Sequence, residues 1–398
     1  MTQIVAALEI DAAAPLPPQA VGLTDAEVDA VRRPLAAASL LPPRVYIDPE
    51  TFRIEREKLF PSGWMPVCHV SDLEAPGAYV ARHLVGEPVF AVRDRQGDIR
   101  IFSNVCRHRN TTLVSGQGTC KGNRIVCPYH GWTYGLDGGL LAAPFMNDVE
   151  GFVRRDIGLP ELRHEVWHGF VFVNIDGKAA PLAETLAELE PMVAPYGYAE
   201  MERFELKRVR VPWNWKISLE NFSEAYHQPW VHPESAEKGF PADKAVYYEN
   251  PNNAWSLFRL HERDNEIYPL FAPAIPSLDD AYRRFVSVFN IYPYFHCLSD
   301  AATPLLLDFN IFGPEDHEMV WSLLLPRGTR ETPDLEARLD GFRAFIEPIM
   351  VEDVEVCTGI AAGVQSRFTR AGRLSLMERA VHQFHNWWLD RMLAPDAT

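Results

Sequence analysis

The stretch "CRHRNTTLVSGQGTCKGNRIVCPYHGW", Cys106 to Trp132, places a Cys-x-His pair and a Cys-x-x-His pair at the two ends of one polar segment. Two thiols and two imidazoles can build a tetrahedral zinc site. They can equally hold a [2Fe–2S] centre in which His replaces Cys on one iron. Zinc sites usually draw on Cys-x-x-Cys pairs, or on a His pair three to five residues apart. Here each thiol has its own imidazole, Cys106 with His108 and Cys127 with His130, so each of two loops supplies one of each kind. Cys106 and Cys127 on one iron, with His108 and His130 on the other, match that pattern. A mixed-ligand cluster sits at a higher potential than an all-Cys one, so it can take electrons from a ferredoxin and pass them on. A structural zinc loop remains the alternative on spacing alone.

The surroundings favour the cluster. Gly116, Gly118, Gly122 and Gly131 permit tight loops in which backbone N–H groups face sulfur. From Asn104 to Leu136 there is no Asp or Glu, whereas Arg107, Arg109, Lys121 and Arg124 are present. In a chain of formal charge −16, a local basic collar suits docking of an acidic electron carrier.

Composition bounds the rest. A chain of 398 residues is too long for one ordinary core, which predicts two domains plus appendages. Its 47% apolar and 23% charged content is that of a globular protein. The charge argues against nucleic acid and against anionic membranes as partners. Cysteines at 68, 106, 120, 127, 297 and 357 form no disulfide framework and suit a reducing cytoplasm. The N-terminus has no basic n-region, and no segment approaches the roughly 18 to 20 apolar residues of a membrane span. The expectation is a soluble cytoplasmic protein.

Along the chain, residues 1–43 read as an Ala- and Pro-rich arm with one short helix at "TDAEVDAVRRPL", capped by Thr24. A helix over "YIDPETFRIEREKLF" leads into a small antiparallel β domain, giving a first domain of 44–175. Residues 176–398 read as α+β. They open with a helix-like "PLAETLAELEPMVAPYG", continue in strands at 203–213, 254–260, 284–298 and 303–325, and end in helices near 335–360 and 375–392.

A second motif lies in that half. "NWKISLENFSEAYHQPWVHPES", residues 214–235, puts His227 and His232 five apart with Glu224 three before the first. On a helix Glu224 and His227 would share one side. His232, before Pro233, would turn back toward the same point. Two imidazoles and one distant carboxylate form the facial triad of non-haem Fe(II) oxygenases, with positions left open for O2 and substrate.

Taken together, Cys106-x-His108, Cys127-Pro-Tyr-His130-Gly-Trp, Asn-Trp-Lys and Glu-Asn-Phe-x-Glu-x-Tyr-His-x4-His resemble the terminal oxygenase (α) subunit of Rieske-type non-haem iron oxygenases. The resemblance covers nearly all of the chain from about 45 to 392. It implies a small antiparallel β Rieske domain and a helix-grip (START-like) catalytic domain with an antiparallel sheet and C-terminal helices. The resemblance further implies that His227 and His232 bind a mononuclear Fe(II) and that "VEDVEVC" supplies the third ligand, Asp353. Asn221 and Glu224 are then the expected catalytic residues, with Glu224 bridging a cluster His and His227. It also implies NAD(P)H electrons delivered through a separate ferredoxin or flavin/iron-sulfur reductase, since no GxGxxG signature is present, and a head-to-tail homotrimer.

Two departures matter. The segment between His108 and Cys127 runs to eighteen residues, slightly long, and includes Cys120, read as a non-ligand. Many aromatic-ring dioxygenases carry Asp where this chain has Glu224. That Glu resembles the branch acting on carnitine, choline and glycine betaine, commonly α-only assemblies. Trp213, Trp215 and Trp230 read as core aromatics. The aromatic-rich segment from Phe240 to Phe295 can cage a quaternary ammonium or line an apolar pocket. The expected activity is monooxygenation or oxidative dealkylation of a small organic substrate, a quaternary ammonium compound, amine or aromatic. An aromatic-ring cis-dihydroxylating dioxygenase is the alternative, and a zinc-bearing binding protein the remote one.

Overall fold

Thr24 starts the first helix, Asp25–Arg32, as the sequence predicts: its hydroxyl accepts the Glu27 N–H while Glu27 reaches back to the Thr24 N–H. Such a capping box contributes ~1 kcal/mol. The structure is a computed structural model that describes residues 16–250, 252–262 and 272–395. Val21, Leu23, Val28 and Val31 are buried in the main core, and Leu16 bonds to Leu393. The described part of the N-terminal segment is therefore packed onto the end of the chain.

The leading helix begins at Pro49, with Asp48 accepting from the Glu50 and Thr51 N–H groups. It passes through a wide turn at Glu55–Leu59 and ends near Ser62. Beyond it, short strands form three antiparallel sheets. One has four strands (Ile99–Ser103, Glu87–Arg93, Ala78–Leu84, Gln117–Thr119). A second has three (Arg124–Val126, Thr133–Gly135, Leu140–Ala142), and a third pairs Met65–His69 and Arg163–Trp167 on either side of Phe170–Asn174. The first two enclose their own core around Phe90, Phe102, Trp132 and Tyr134.

The second half is built on one seven-stranded antiparallel sheet in the order Met201–Val211, Asp316–Pro326, Leu305–Gly313, Phe295–Ser299, Phe285–Ile291, Trp255–His261, Ala245–Tyr247. The expected strand at 284–298 is thus a hairpin, broken at Tyr292–Pro293 because Pro cannot donate to the ladder. The expected helix after residue 180 is two single turns, Leu182–Thr185 and Glu190–Val193, the second begun by Pro191 and followed by Pro195.

The period of two along each strand sorts residues between the faces. Leu257, Phe289, Phe295, Cys297 and Leu306 pack with Phe170, Phe172 and the 182–198 turns. Phe258, Leu260, Val288, His296, Leu298 and Leu305 face the other way, toward the helix Leu335–Val364. Gripped between sheet and helix is a cavity. The protein is α+β, a unit of small antiparallel sheets joined to a seven-stranded antiparallel sheet with C-terminal helices. A largely buried Arg82–Asp308 ion pair of 2.6 Å links the two sheets.

The helix Trp215–Asn221 is held from beneath. Glu55, fully buried, accepts from Lys216 Nζ at 2.6 Å, Trp388 Nε1 at 2.7 Å and Trp215 Nε1 at 3.1 Å. A buried charge needs this degree of pairing to be tolerated. A second network ties the same helix to the sheet. Trp213 Nε1 donates to Ser218 Oγ at 2.9 Å, Ser218 Oγ lies 3.0 Å from His317 Nε2, and His317 Nδ1 donates to the Trp213 carbonyl at 2.9 Å.

Candidate metal centres

Two loops bring the four residues of the first motif together. Cys106 and Cys127 are buried, and His108 and His130 are exposed with ring centroids 4.7 Å apart. Each loop closes on itself, through Asn110 N–H to the Cys106 carbonyl and Gly131 N–H to the Cys127 carbonyl. Gly131 sits at φ +70°, a left-handed position that favours glycine. Burial raises the Cys127 thiol, while the Tyr129 and His130 N–H groups oppose that rise. Tyr134 Oη lies 3.3 Å from the Cys106 sulfur and accepts the Arg107 N–H at 3.0 Å. Trp132 stacks on the His108 ring at 4.9 Å. Buried sulfur and exposed imidazole in one site is the donor set a cluster with inner and outer irons requires. Arg107, Arg109, Lys121 and Arg124 are all exposed around it, and Arg109 stacks over Tyr129 at 5.2 Å. Cys120 is buried in the same core as Cys106 and Cys127, its thiol pushed up to about 11 by desolvation.

At the second motif the helix stops at Asn221, so Glu224 and His227 do not share a helix face as expected. Phe222 to His227 form a turn, and a single helical turn, Gln228–Val231, follows. The turn is folded around Glu224 itself. Its Oε2 accepts the Tyr226 and His227 N–H groups, and its Oε1 accepts from His227 Nδ1 at 2.5 Å. The short hydrogen bonds of an ionised acceptor replace the helical ones.

Asp353 arrives from the long helix. It falls on the stripe Leu339, Phe342, Ile346, Met350, Asp353, Cys357, the buried face of that helix, and is 5% exposed. Its Oδ1 lies 3.0 Å from His232 Nε2 and 3.6 Å from His227 Nε2, and accepts from Asn221 Nδ2 at 2.8 Å. His232 Nδ1 donates to Glu352 Oε2 at 2.7 Å. Ligand atoms of His227, His232 and Asp353 all lie within 4.8 Å of one another. Each imidazole thus turns Nδ1 to a carboxylate and Nε2 to Asp353, the orientation that makes a good metal ligand. Burial works to lower both imidazolium groups; Glu224 outweighs it for His227, and Asp353 and Glu352 outweigh it for His232, so both end raised. Two neutral imidazoles and one carboxylate fit Fe(II).

The sequence reading missed Glu352 as the partner of His232, Tyr134 at the cluster, and His296 in the cavity wall. Trp213 and Trp215 are buried, but Trp230 is 84% exposed, contrary to expectation. Of the aromatics between 240 and 295 that the structure describes, most are core; Tyr268 and Phe271 lie outside the described residues.

The cavity over these ligands holds about 620 Å³ of empty space, part of it open to solvent. Its walls are Phe222, Phe258, Leu260, Val288, Leu298, Leu305, Trp321, Ile346 and Ile349, with His296 and Gln228 as polar members. Among the described residues that line it there is no Lys or Arg.

Comparison with known proteins agrees with this architecture. Residues 63–153 match the Rieske [2Fe-2S] domain, and residues 198–394 match the ring hydroxylating alpha subunit catalytic domain. The carnitine monooxygenase oxygenase subunit of Escherichia coli (strain K12) is 36% identical over 367 residues, covering 87% of this chain and 92% of that one. The large oxygenase component of the naphthalene 1,2-dioxygenase system of Pseudomonas putida is 39% identical over 204 residues, 49% of this chain and 45% of its own. A solved quaternary ammonium Rieske monooxygenase superposes with a TM-score of 0.77 at 24% identity, over 92% of this chain and 98% of that one. The chain belongs to the terminal oxygenase α subunits of Rieske non-haem iron oxygenases. It is an oxygenase whose cofactors are a Rieske [2Fe–2S] cluster and a mononuclear iron, supplied with electrons by a separate reductase. No helix among the described residues is long and apolar enough to cross a membrane.

Proposed function

We propose that the chain monooxygenates or oxidatively dealkylates a small organic substrate bearing a quaternary ammonium or amine nitrogen, or failing that an aromatic body. The observation that carries this reading is the placement of His227, His232 and Asp353 at the base of a cavity walled by Phe222, Phe258 and Trp321. Aromatic faces attract a cation, and a carboxylate-bearing substrate would meet no Lys or Arg among the described lining residues. The carnitine monooxygenase relatives and Glu224 support the same branch.

In this reading Cys106, His108, Cys127 and His130 hold the cluster, and His227, His232 and Asp353 hold the mononuclear iron. When bound, the cluster supplies single electrons and the iron activates O2. Glu224 keeps the Nδ1 proton on His227, and Glu352 does so on His232, leaving both Nε2 lone pairs to the metal. Asn221 orients Asp353 by donating to Oδ1. The apolar walls exclude water from the bound substrate. We assign 44–175 to the cluster domain and 176–398 to the catalytic domain. A head-to-tail homotrimer, in which the second face of Glu224 meets a cluster His of the next subunit, an NAD(P)H-fed ferredoxin or flavin/iron-sulfur reductase, and a cytoplasmic location complete the proposal.

The test is turnover with a surrogate reductase on a panel of quaternary ammonium compounds, tertiary amines and arenes, with products identified by mass. Dealkylated or singly hydroxylated products are expected. Exclusive formation of cis-diols from arenes would replace this reading with the dioxygenase one.

A further inference from the structure

We propose that His296 is a specificity-determining residue of the cavity, accepting through Nε2 a hydrogen bond from a hydroxyl or N–H group of an otherwise apolar-surfaced substrate. The inference rests on the cavity being the active site and names what that site selects. A quaternary ammonium compound, which has no N–H, then qualifies only if it also carries a hydroxyl.

The argument is one of fixed proton positions. His296 stands opposite Asn290 across two antiparallel strands, and its Nδ1 lies 2.7 Å from Asn290 Oδ1. Asn290 cannot be turned the other way, because its Nδ2 donates to Ser223 Oγ at 3.1 Å and to Ser256 Oγ at 2.9 Å. Ser223 has already committed its own hydrogen to the Leu219 carbonyl at 2.5 Å, so it can only accept from Asn290. The Asn290 carbonyl therefore faces His296, and a carbonyl only accepts. The hydrogen of the neutral imidazole must sit on Nδ1, which leaves a lone pair on Nε2.

That lone pair has no protein partner among the described residues, although the side chain is 4% exposed and lines the cavity with His227 and Asp353. Desolvation keeps the ring neutral. An acceptor that opens onto the cavity is left to whatever fills it, and a ligand that brings the donor gains that bond. Phe222 and Leu298 offer the cavity no polar atom, and Trp321 offers only a donor, its Nε1, unpartnered among the described residues, so none of these three can take the acceptor role.

The experiment measures binding to the fully loaded enzyme by calorimetry, using matched probes: benzyl alcohol against benzyl methyl ether, choline against its O-methyl ether, and N-methylbenzamide against N,N-dimethylbenzamide. The native protein should favour the donor-bearing member of the pairs it binds by about tenfold or more. His296→Leu should erase the preference, and His296→Gln, whose amide can donate to Asn290 and offer its oxygen to the cavity, should restore much of it. Retained cluster spectrum and iron content check that each variant is folded. A preference unchanged in His296→Leu, absent from the native protein, or a panel that does not bind at all overturns the inference. Leu298→Trp, which fills the cavity, separates the two readings. If it abolishes binding while His296→Leu leaves the preference intact, the cavity stands and only His296 fails. If binding survives Leu298→Trp, the cavity itself is not the site.

Discussion

The carboxylate of Glu224 is divided between two tasks: Oε1 takes the Nδ1 proton of His227 at 2.5 Å, while Oε2 ties down the N–H groups of Tyr226 and His227. One side chain therefore fixes both the fold of the turn and the tautomer of a metal ligand.

Glu224→Gln keeps the length but loses the charge. Both metal centres should load, dithionite should still reduce the cluster, and turnover should fall by at least ~10²-fold, because the proton on His227 is no longer held by an anion. Glu224→Asp retains charge and shortens the reach by about 1.5 Å, and should also be impaired. Wild-type rates of single-turnover cluster oxidation in both variants would reduce Glu224 to a loop residue.

Asp353→Ala should strip or weaken the mononuclear iron and abolish turnover while leaving the visible spectrum of the cluster intact, since the sites share no ligand. Iron analysis beside the spectrum distinguishes the two. Persistent iron and turnover would shift the ligand to Glu352, which holds His232 from the other side.

His108→Cys and His130→Cys replace a neutral ligand with an anionic one. The cluster's reduction potential should drop, or the cluster should be lost, with the mononuclear iron retained. Unchanged potentials and spectra in both variants would remove these residues from the cluster.

His317 and His69 are buried, and desolvation pushes each down to about 4. The unfolded chain protonates them near 6.5, so their neutral forms stabilise the fold fully above that pH. As pH falls from 6.5 toward 4 the unfolded state gains protons first, and each should cost roughly 3 kcal/mol of stability. Urea titrations across this range should show the loss, and His317→Asn should flatten the slope by about one proton.

Lys216→Met removes the cation from a fully buried carboxylate. Destabilisation of ~3–5 kcal/mol is expected, whereas Lys216→Met combined with Glu55→Gln should recover part of it, because breaking a buried pair leaves an uncompensated charge. Thermal melts of the single and double variants decide the point.

The parts of this molecule that were legible in its sequence are those where chemistry is local. Cysteine and histidine sit within three residues of each other in both cluster loops, and Thr24 and Glu27 make their cap within one turn. Asp353 was reached only through the resemblance, since Glu352, Asp353 and Glu355 by themselves read as a solvated helix face. In the structure Asp353 occupies the apolar stripe of its helix, while Glu355 two residues on is exposed. Other features depend on distant partners. The helix ends at Asn221 because Glu224 captures the following N–H groups, and helix-forming residues give no hint of that competition. Glu352 meets His232 only because the long helix crosses the turn. Trp230 lies outward, and periodicity in one chain cannot tell a core face from a face that meets something else.

Two of the three donors gathered on Glu55 are the adjacent Trp215 and Lys216, and the third, Trp388, lies 333 residues beyond Glu55. The pairing of this buried carboxylate therefore needs both the early and the late parts of the chain. The cluster loops and the Tyr134 that meets Cys106 all lie in the first half of the chain. Glu55, which holds the helix that carries Asn221, gains its third donor only from the final helix. The core beneath the cluster loops ends at Leu159, whereas the support beneath Asn221 reaches to Trp388.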